Sequence, residues 1–186
     1  MESEAIRIDE YLGSDVSKRF DFLYENFSII KPLIRNYRQE IITDVVDMKE
    51  CKRRAENGEL GVRIQVSIRP GGPTEKKAIS NVMVAKAIDE GFLDDQFFED
   101  TDNPDELIRR VTIYHMVNSD YEEFRSKLET LAPTEQRILK PYLLREKSMM
   151  DLAEDMGIDY RSAVKKIYRI KKKLGEKVEP RMRRGA

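Results

Sequence analysis

The sequence predicts an all-α chain, on three observations. Lys, Glu, Arg, Leu and Ile are abundant, Trp is absent, and only nine Gly and seven Pro occur in 186 residues. That composition favours helix over sheet. Apolar residues recur at three- and four-residue spacing in most segments, and Ser, Thr or Asp stands where several of those segments begin, as helix caps do. The expected architecture is a helical hairpin or coiled coil over 1–58, then an extended segment, short helix and acidic linker over 59–104. A helical bundle ending in a helix-turn-helix follows over 105–179, with a basic tail at 180–186.

The first helix is expected over 14–30, capped by Ser14 or Asp15, with Phe20, Leu23, Tyr24 and Phe27 at helical spacing. Pro32 disfavours helix at Lys31 and predicts a break or a new helix start there. A longer helix over 33–56 carries Ile34, Tyr37, Ile41, Val45, Met48, Cys51 or Lys52, and Ala55 as one stripe, with Asn57-Gly58 as its stop. A stripe of about three heptads suits a coiled-coil dimer or an intramolecular hairpin.

Residues 60–68 alternate, with Val62, Ile64, Val66 and Ile68 apolar, which predicts an extended segment, and the turn signal RPGGP follows. Thr74 is the expected start of a helix that continues through Ile79, Val82, Met83, Lys86 and Ala87. Nine acids lie between Asp89 and Glu106. They lack the spacing and central Gly of a calcium loop, and read as a solvated acidic loop or helix face. Two helices are expected over 105–131, one lined by Leu107, Val111, Tyr114 and Met116, the next by Tyr121, Phe124 and Leu128.

The last third carries the functional signal. Pro133 and Thr134 open a helix, Thr134 as its N-cap, with Ile138, Leu139, Tyr142 and Leu143 on its apolar face and Pro141 as a bend. Arg145-Glu146-Lys147 makes a turn. Ser148 caps a short helix whose Leu152, Ala153 and Met156 face inward, Gly157 ends it, and Ile158 packs back. Asp159 caps a final helix reaching about Leu174, with Ala163, Val164, Ile167, Ile170 and Leu174 toward the core. Ala153 is small enough for a close helix crossing, and Gly157 supplies the positive φ of a tight turn.

The net charge of −1 hides an asymmetry. From Arg161 onward eleven basic residues meet two acids, a local charge of +9. Such an end favours a polyanion partner. Tyr160, Arg161, Ser162, Lys165, Arg169 and Lys172 fall opposite the core stripe of the last helix, with Lys166 at the edge. Together with Ser148 they form a candidate surface for double-stranded DNA. Arg161 and Lys165 are placed for guanine acceptors, Ser162 is less selective, and the later cations are placed for phosphates.

Residues 131–177 resemble region 4 of bacterial sigma-70-type factors, in the pattern E-x-x-I-L … S-x-x-x-L-A-x-x-x-G-I … V-x-x-I … K-x-L. Val164 and Ile167 fall one residue later after Gly157 than in those factors, and nothing resembles the promoter-melting region 2. The central LGVRIQVSIRPGGPTEKKAI is similar to the G-V-R-x-Q-x-S … P-T … A-I segment of phage late-transcription regulators of the RinA/ArpU type, departing at Val66 and at Gly71-Gly72. That resemblance implies a transcription regulator of phage or prophage genes.

The leading expectation is therefore a sequence-specific DNA-binding regulator, with RNA polymerase and a second copy of the chain as further candidate partners. A DNA-packaging component of the small-terminase type and a protein-docking adaptor are the alternatives. No enzyme, cofactor or metal site is expected. There is no Gly-rich phosphate loop, and His115 and Cys51 are the only residues of their kinds, which leaves no ligand set for a metal and little for acid–base chemistry. No apolar run approaches the roughly 20 residues of a membrane span, the N-terminus does not read as a secretory signal, and the lone cysteine fits a reducing compartment. The expected location is the cytoplasm.

Overall fold

The computed structural model describes residues 7–56, 73–91 and 103–183. Every regular element among them is helical: a 3-10 turn at Ile8–Glu10, then α1 (Val16–Asn26), α2 (Ile30–Glu56), α3 (Pro73–Glu90), α4 (Pro104–Glu129), α5 (Pro133–Leu143), α6 (Met149–Asp155) and α7 (Tyr160–Met182). Asn57-Gly58, the alternating stretch 60–68, the RPGGP signal up to Gly72, and most of the acidic segment lie outside the described residues, as do the side chains of Ala55, Thr74 and Ile79. No described helix is long and apolar enough to cross a membrane.

The chain forms two compact units, one of residues 1–34 and 116–186, the other of 35–115. The first unit is therefore discontinuous in sequence, and neither unit follows divisions drawn at 58, 104 or 179. In it α1 packs on α7 and α5, and α5 and α6 pack on α7. Asp15 caps α1 by accepting the Lys18 amide. α1 ends at Asn26, and the chain turns before α2 begins at Ile30. The expected new start is found at Ile30, one residue before Lys31, and the helix runs on through Pro32. Pro32 sits in the first turn of α2, where an amide has no intrahelical partner to lose. Phe20 and Phe27 meet Phe124 with ring centroids 5.5 and 5.4 Å apart, beside the buried Leu23, Leu128, Leu139 and Leu174.

A second correction concerns α4. One continuous helix replaces the two expected over 105–131. The polar run Asn118-Ser119-Asp120 contains no Gly or Pro to end a helix. Asn118 and Ser119 face solvent, whereas Asp120 is buried. Its carboxylate lies 3.3 Å from the Arg19 guanidinium and accepts from the Tyr11 hydroxyl at 2.9 Å. Arg19, itself 2% exposed, also donates to the Met182 carbonyl at 2.6 Å. That carbonyl is among the last four of α7, which have no intrahelical donor, and a cation there opposes the negative end of the helix dipole.

In the second unit Ile41, Val45, Val84, Ile88, Leu107, Val111 and Ile113 are buried. The stripe of α2 is broader than expected, with Ile42 and Val46 buried as well, and fades to half-buried Met48 and exposed Cys51 and Lys52. On α3 the buried residues are Val84 and Ile88, while Val82 and Met83 are each 68% exposed. Arg38 clasps Asp89 with two 2.6 Å hydrogen bonds, and Arg110 pairs with Asp44 at 2.5 Å. His115 Nε2 lies 2.7 Å from the Ile88 carbonyl, a structural tie between α4 and α3.

Candidate nucleic-acid interface

The site is built on the sequence α5, α6, tight turn, α7. α5 starts at Pro133, so Thr134 is not its N-cap. The cap is Ala132, whose amide donates to Glu135 at 3.0 Å. Pro occupies the first helical position, where its missing amide costs nothing. Leu139 and Leu143 are buried, whereas Ile138 and Tyr142 are half-buried. After Leu143 the chain turns through Arg145, the only described non-glycine residue at positive φ (58°).

Ser148 caps α6 reciprocally. Its Oγ accepts the Asp151 amide at 3.2 Å, and its own amide donates to Asp151 Oδ2 at 2.8 Å. That arrangement holds the Asp151 carboxyl below its ordinary value, the Ser148 amide being the largest cause. Leu152 and Ala153 are buried and Met156 is half-buried. Gly157 turns the chain at φ 61° with open space around its α-carbon. The Ile158 amide then donates to the Ala153 carbonyl at 3.0 Å, although its side chain is 36% exposed rather than packed back. Asp159 caps α7 by accepting both the side chain and the amide of Ser162, which lower its carboxyl below the usual range.

α7 differs from expectation in two ways. It continues two turns beyond Leu174 to Met182, so residues 180–182 belong to a helix rather than a tail. Pro180 removes one hydrogen bond near its end. That loss is offset by burial of Val178 and Met182 and by the bond from Arg19. Gly175 is buried where α7 meets α1, with the Phe20 ring at ordinary contact distance from where a Cβ would stand, 3.6 Å. The other difference is Val164, expected in the core and found 39% exposed. Ala163, Ile167, Ile170 and Leu174 already complete a buried stripe, and Val164 lies about 100° from Ala163 around the helix.

The cations of α7 divide sharply. Lys171 pairs with Asp21 at 2.6 Å and lies 4.5 Å from the Tyr24 ring centre, and Lys173 pairs with Glu135 at 2.9 Å. Lys177 donates to the Thr130 carbonyl, Arg181 meets Glu123 at 3.5 Å and Arg183 meets Glu179 at 3.7 Å. Arg161, Lys165, Lys166, Arg169 and Lys172 are exposed and have no carboxylate partner among the described residues. Arg161, Lys165, Arg169 and Lys172 fall on one face over about 17 Å of helix. Tyr160 is 52% exposed beside them. Ser148 and Ser162 are exposed too, but each hydroxyl is engaged with its cap carboxylate, Asp151 and Asp159 respectively.

Sequence reasoning missed one neighbouring feature. An open groove of about 1020 Å³ runs between α5, α6 and the flank of α7. Ile138, Leu152 and Met156 are among its apolar lining, and Arg137, Lys140, Lys147 and Lys166 are its cations. Lys140 is tied to Glu129 and Lys147 to Asp155. Arg137 is exposed and has no carboxylate partner among the described residues. Its position about 160° from Leu139 around α5 was the available signal. Comparison of the chain with protein-family models, with curated proteins and with solved structures found no match.

Proposed function

We propose that the protein is a sequence-specific DNA-binding regulator of transcription, in which α6 and α7 form a helix-turn-helix and α7 enters the major groove. The observation that carries this reading is the row Arg161, Lys165, Arg169 and Lys172. All four are exposed and free of carboxylates among the described residues, while the opposite side of the same helix is buried. Cations whose charge is not spent within the fold are what a phosphate-rich partner requires. A recognition helix presents its N-terminal half to base edges, which assigns Arg161 and Lys165 to bases and Arg169 and Lys172 to phosphates. The groove beside α7 adds Arg137 and Lys166 as backbone contacts for the same duplex.

The regulatory role rests on the resemblance of residues 131–177 to sigma region 4 and of the central segment to RinA/ArpU-type regulators. In that role the protein regulates phage or prophage genes, with RNA polymerase as a candidate second partner. Selection of bound duplexes from a random pool, followed by titration at about 100 mM salt, tests the reading. A recovered consensus bound more tightly than random duplex is the expected result. Failure to retain any duplex overturns it.

A further inference from the structure

Beside the basic row of α7 runs a second row, made of Tyr160, Val164 and Tyr168, which are 52, 39 and 66% exposed. Spaced by four residues, they align along one side of the helix. The buried stripe of α7 does not need them, because Ala163, Ile167, Ile170 and Leu174 supply it. Val164 is the least expected of the three: a purely apolar side chain held at the surface, with Arg161 and Tyr160 one turn before it and Tyr168 one turn after. We propose that Val164 is a specificity-determining residue that reads the C5 methyl group of thymine in the bound duplex. The inference rests on the DNA-binding reading above and names a group, the thymine methyl, that hydrogen-bonding cations do not read.

Three physical points support it. In the major groove the thymine methyl is the apolar group on the base edges, and a small apolar side chain is its natural contact. Val is β-branched and holds nearly one side-chain rotamer within a helix. Its methyls are therefore already positioned, and little conformational freedom is lost on contact. The unpaired cations on the adjoining row bring this part of α7 against polyanion, so Val164 is desolvated by DNA rather than by another apolar surface. Tyr160 and Tyr168 flank it and limit how far the helix can roll in the groove.

The test replaces each thymine of the selected duplex, one at a time, by deoxyuridine, which removes the methyl and leaves the hydrogen-bonding edge unchanged. Affinities are measured for the intact chain and for Val164→Ala, whose helicity is compared by circular dichroism. At one or two positions deoxyuridine is expected to weaken the intact protein about three- to fivefold, and to leave Val164→Ala unaffected. If every replacement costs both proteins equally, or none weakens the intact protein, the inference is overturned while selective DNA binding still stands. If no duplex is selected at all, the DNA-binding reading falls first and this one with it.

Discussion

The paired and unpaired cations of α7 have the same chemistry and opposite circumstances. Lys171, Lys173, Lys177 and Arg181 reach Asp21, Glu135, Thr130 and Glu123 on α1, α5, the α4–α5 turn and α4. Arg161, Lys165, Lys166, Arg169 and Lys172 face solvent without such partners among the described residues. The local charge of +9 is therefore not one uniform patch. Part of it ties α7 to its own unit, and part is exposed without a carboxylate among the described residues. Charge in a sequence shows that a polyanion is attractive, whereas pairing decides which side chains are free to meet it.

The largest effect that sharpens this contrast belongs to the most buried cation. Arg19→Ala leaves Asp120 buried without its counter-charge and removes the donor to Met182. Breaking such a pair costs about 3–5 kcal/mol, whereas Lys165→Ala, at an exposed site, is expected to shift stability by less than about 0.5 kcal/mol. Urea unfolding followed by circular dichroism measures both. Should Arg19→Ala prove too unstable to purify, Arg19→Met combined with Asp120→Asn removes both charges together and is expected to recover much of the loss. Equal stability of Arg19→Ala and Lys165→Ala would mean that the buried pair of Arg19 with Asp120 contributes no more than an exposed cation.

The reverse pattern is expected for binding. Arg161→Ala and Lys165→Ala should each weaken the selected duplex by about 1–3 kcal/mol if they contact bases, with little change for random duplex. A fluorescence-anisotropy titration of both duplexes separates the two. Equal losses on selected and random DNA would reassign these residues from bases to phosphates.

A smaller effect is expected at the turn joining α6 to α7. Gly157→Ala meets no atom within 4 Å, so its cost is that of a left-handed backbone alone, about 1–2 kcal/mol. Arg145, at φ 58°, already bears that strain. Arg145→Gly relieves it while losing the bond from the guanidinium to the Glu25 carbonyl, so its thermal midpoint should lie above that of Gly157→Ala. If Gly157→Ala is as stable as the parent chain, the turn does not depend on positive φ.

These contrasts also mark how far the sequence was legible. Asp15, Ser148 and Asp159 as caps, Gly157 as a turn, and Ala163, Ile167, Ile170 and Leu174 as a buried stripe all follow from local rules of spacing and side-chain chemistry. The site residues on α7 were legible as one exposed face for the same reason. The continuity of α4 was not, because Asp120 resembles a solvated break until Arg19, about 100 residues away, is known to face it. Val164 was misjudged because helical spacing defines the middle of a stripe more sharply than its edge. The pairing of Lys173 with Glu135 and of Lys171 with Asp21 depends on how the helices meet, which no local pattern encodes.

The finest test uses three consecutive lysines that differ mainly in direction. Lys171 and Lys173 are held by carboxylates, and Lys172 is exposed without one among the described residues. Each substitution by Ala lowers the net charge by the same unit. Salt screens charges beyond about 10 Å at 0.1 M, so net charge alone contributes little to the salt dependence of binding. A lysine that touches phosphate displaces a counterion, and its loss reduces the slope of log Kobs against log salt by about 0.9. That change is expected for Lys172→Ala, with Lys171→Ala and Lys173→Ala close to the parent slope. Three equal changes would mean that the duplex senses the overall charge of the helix and that pairing within the fold does not select the DNA-facing side.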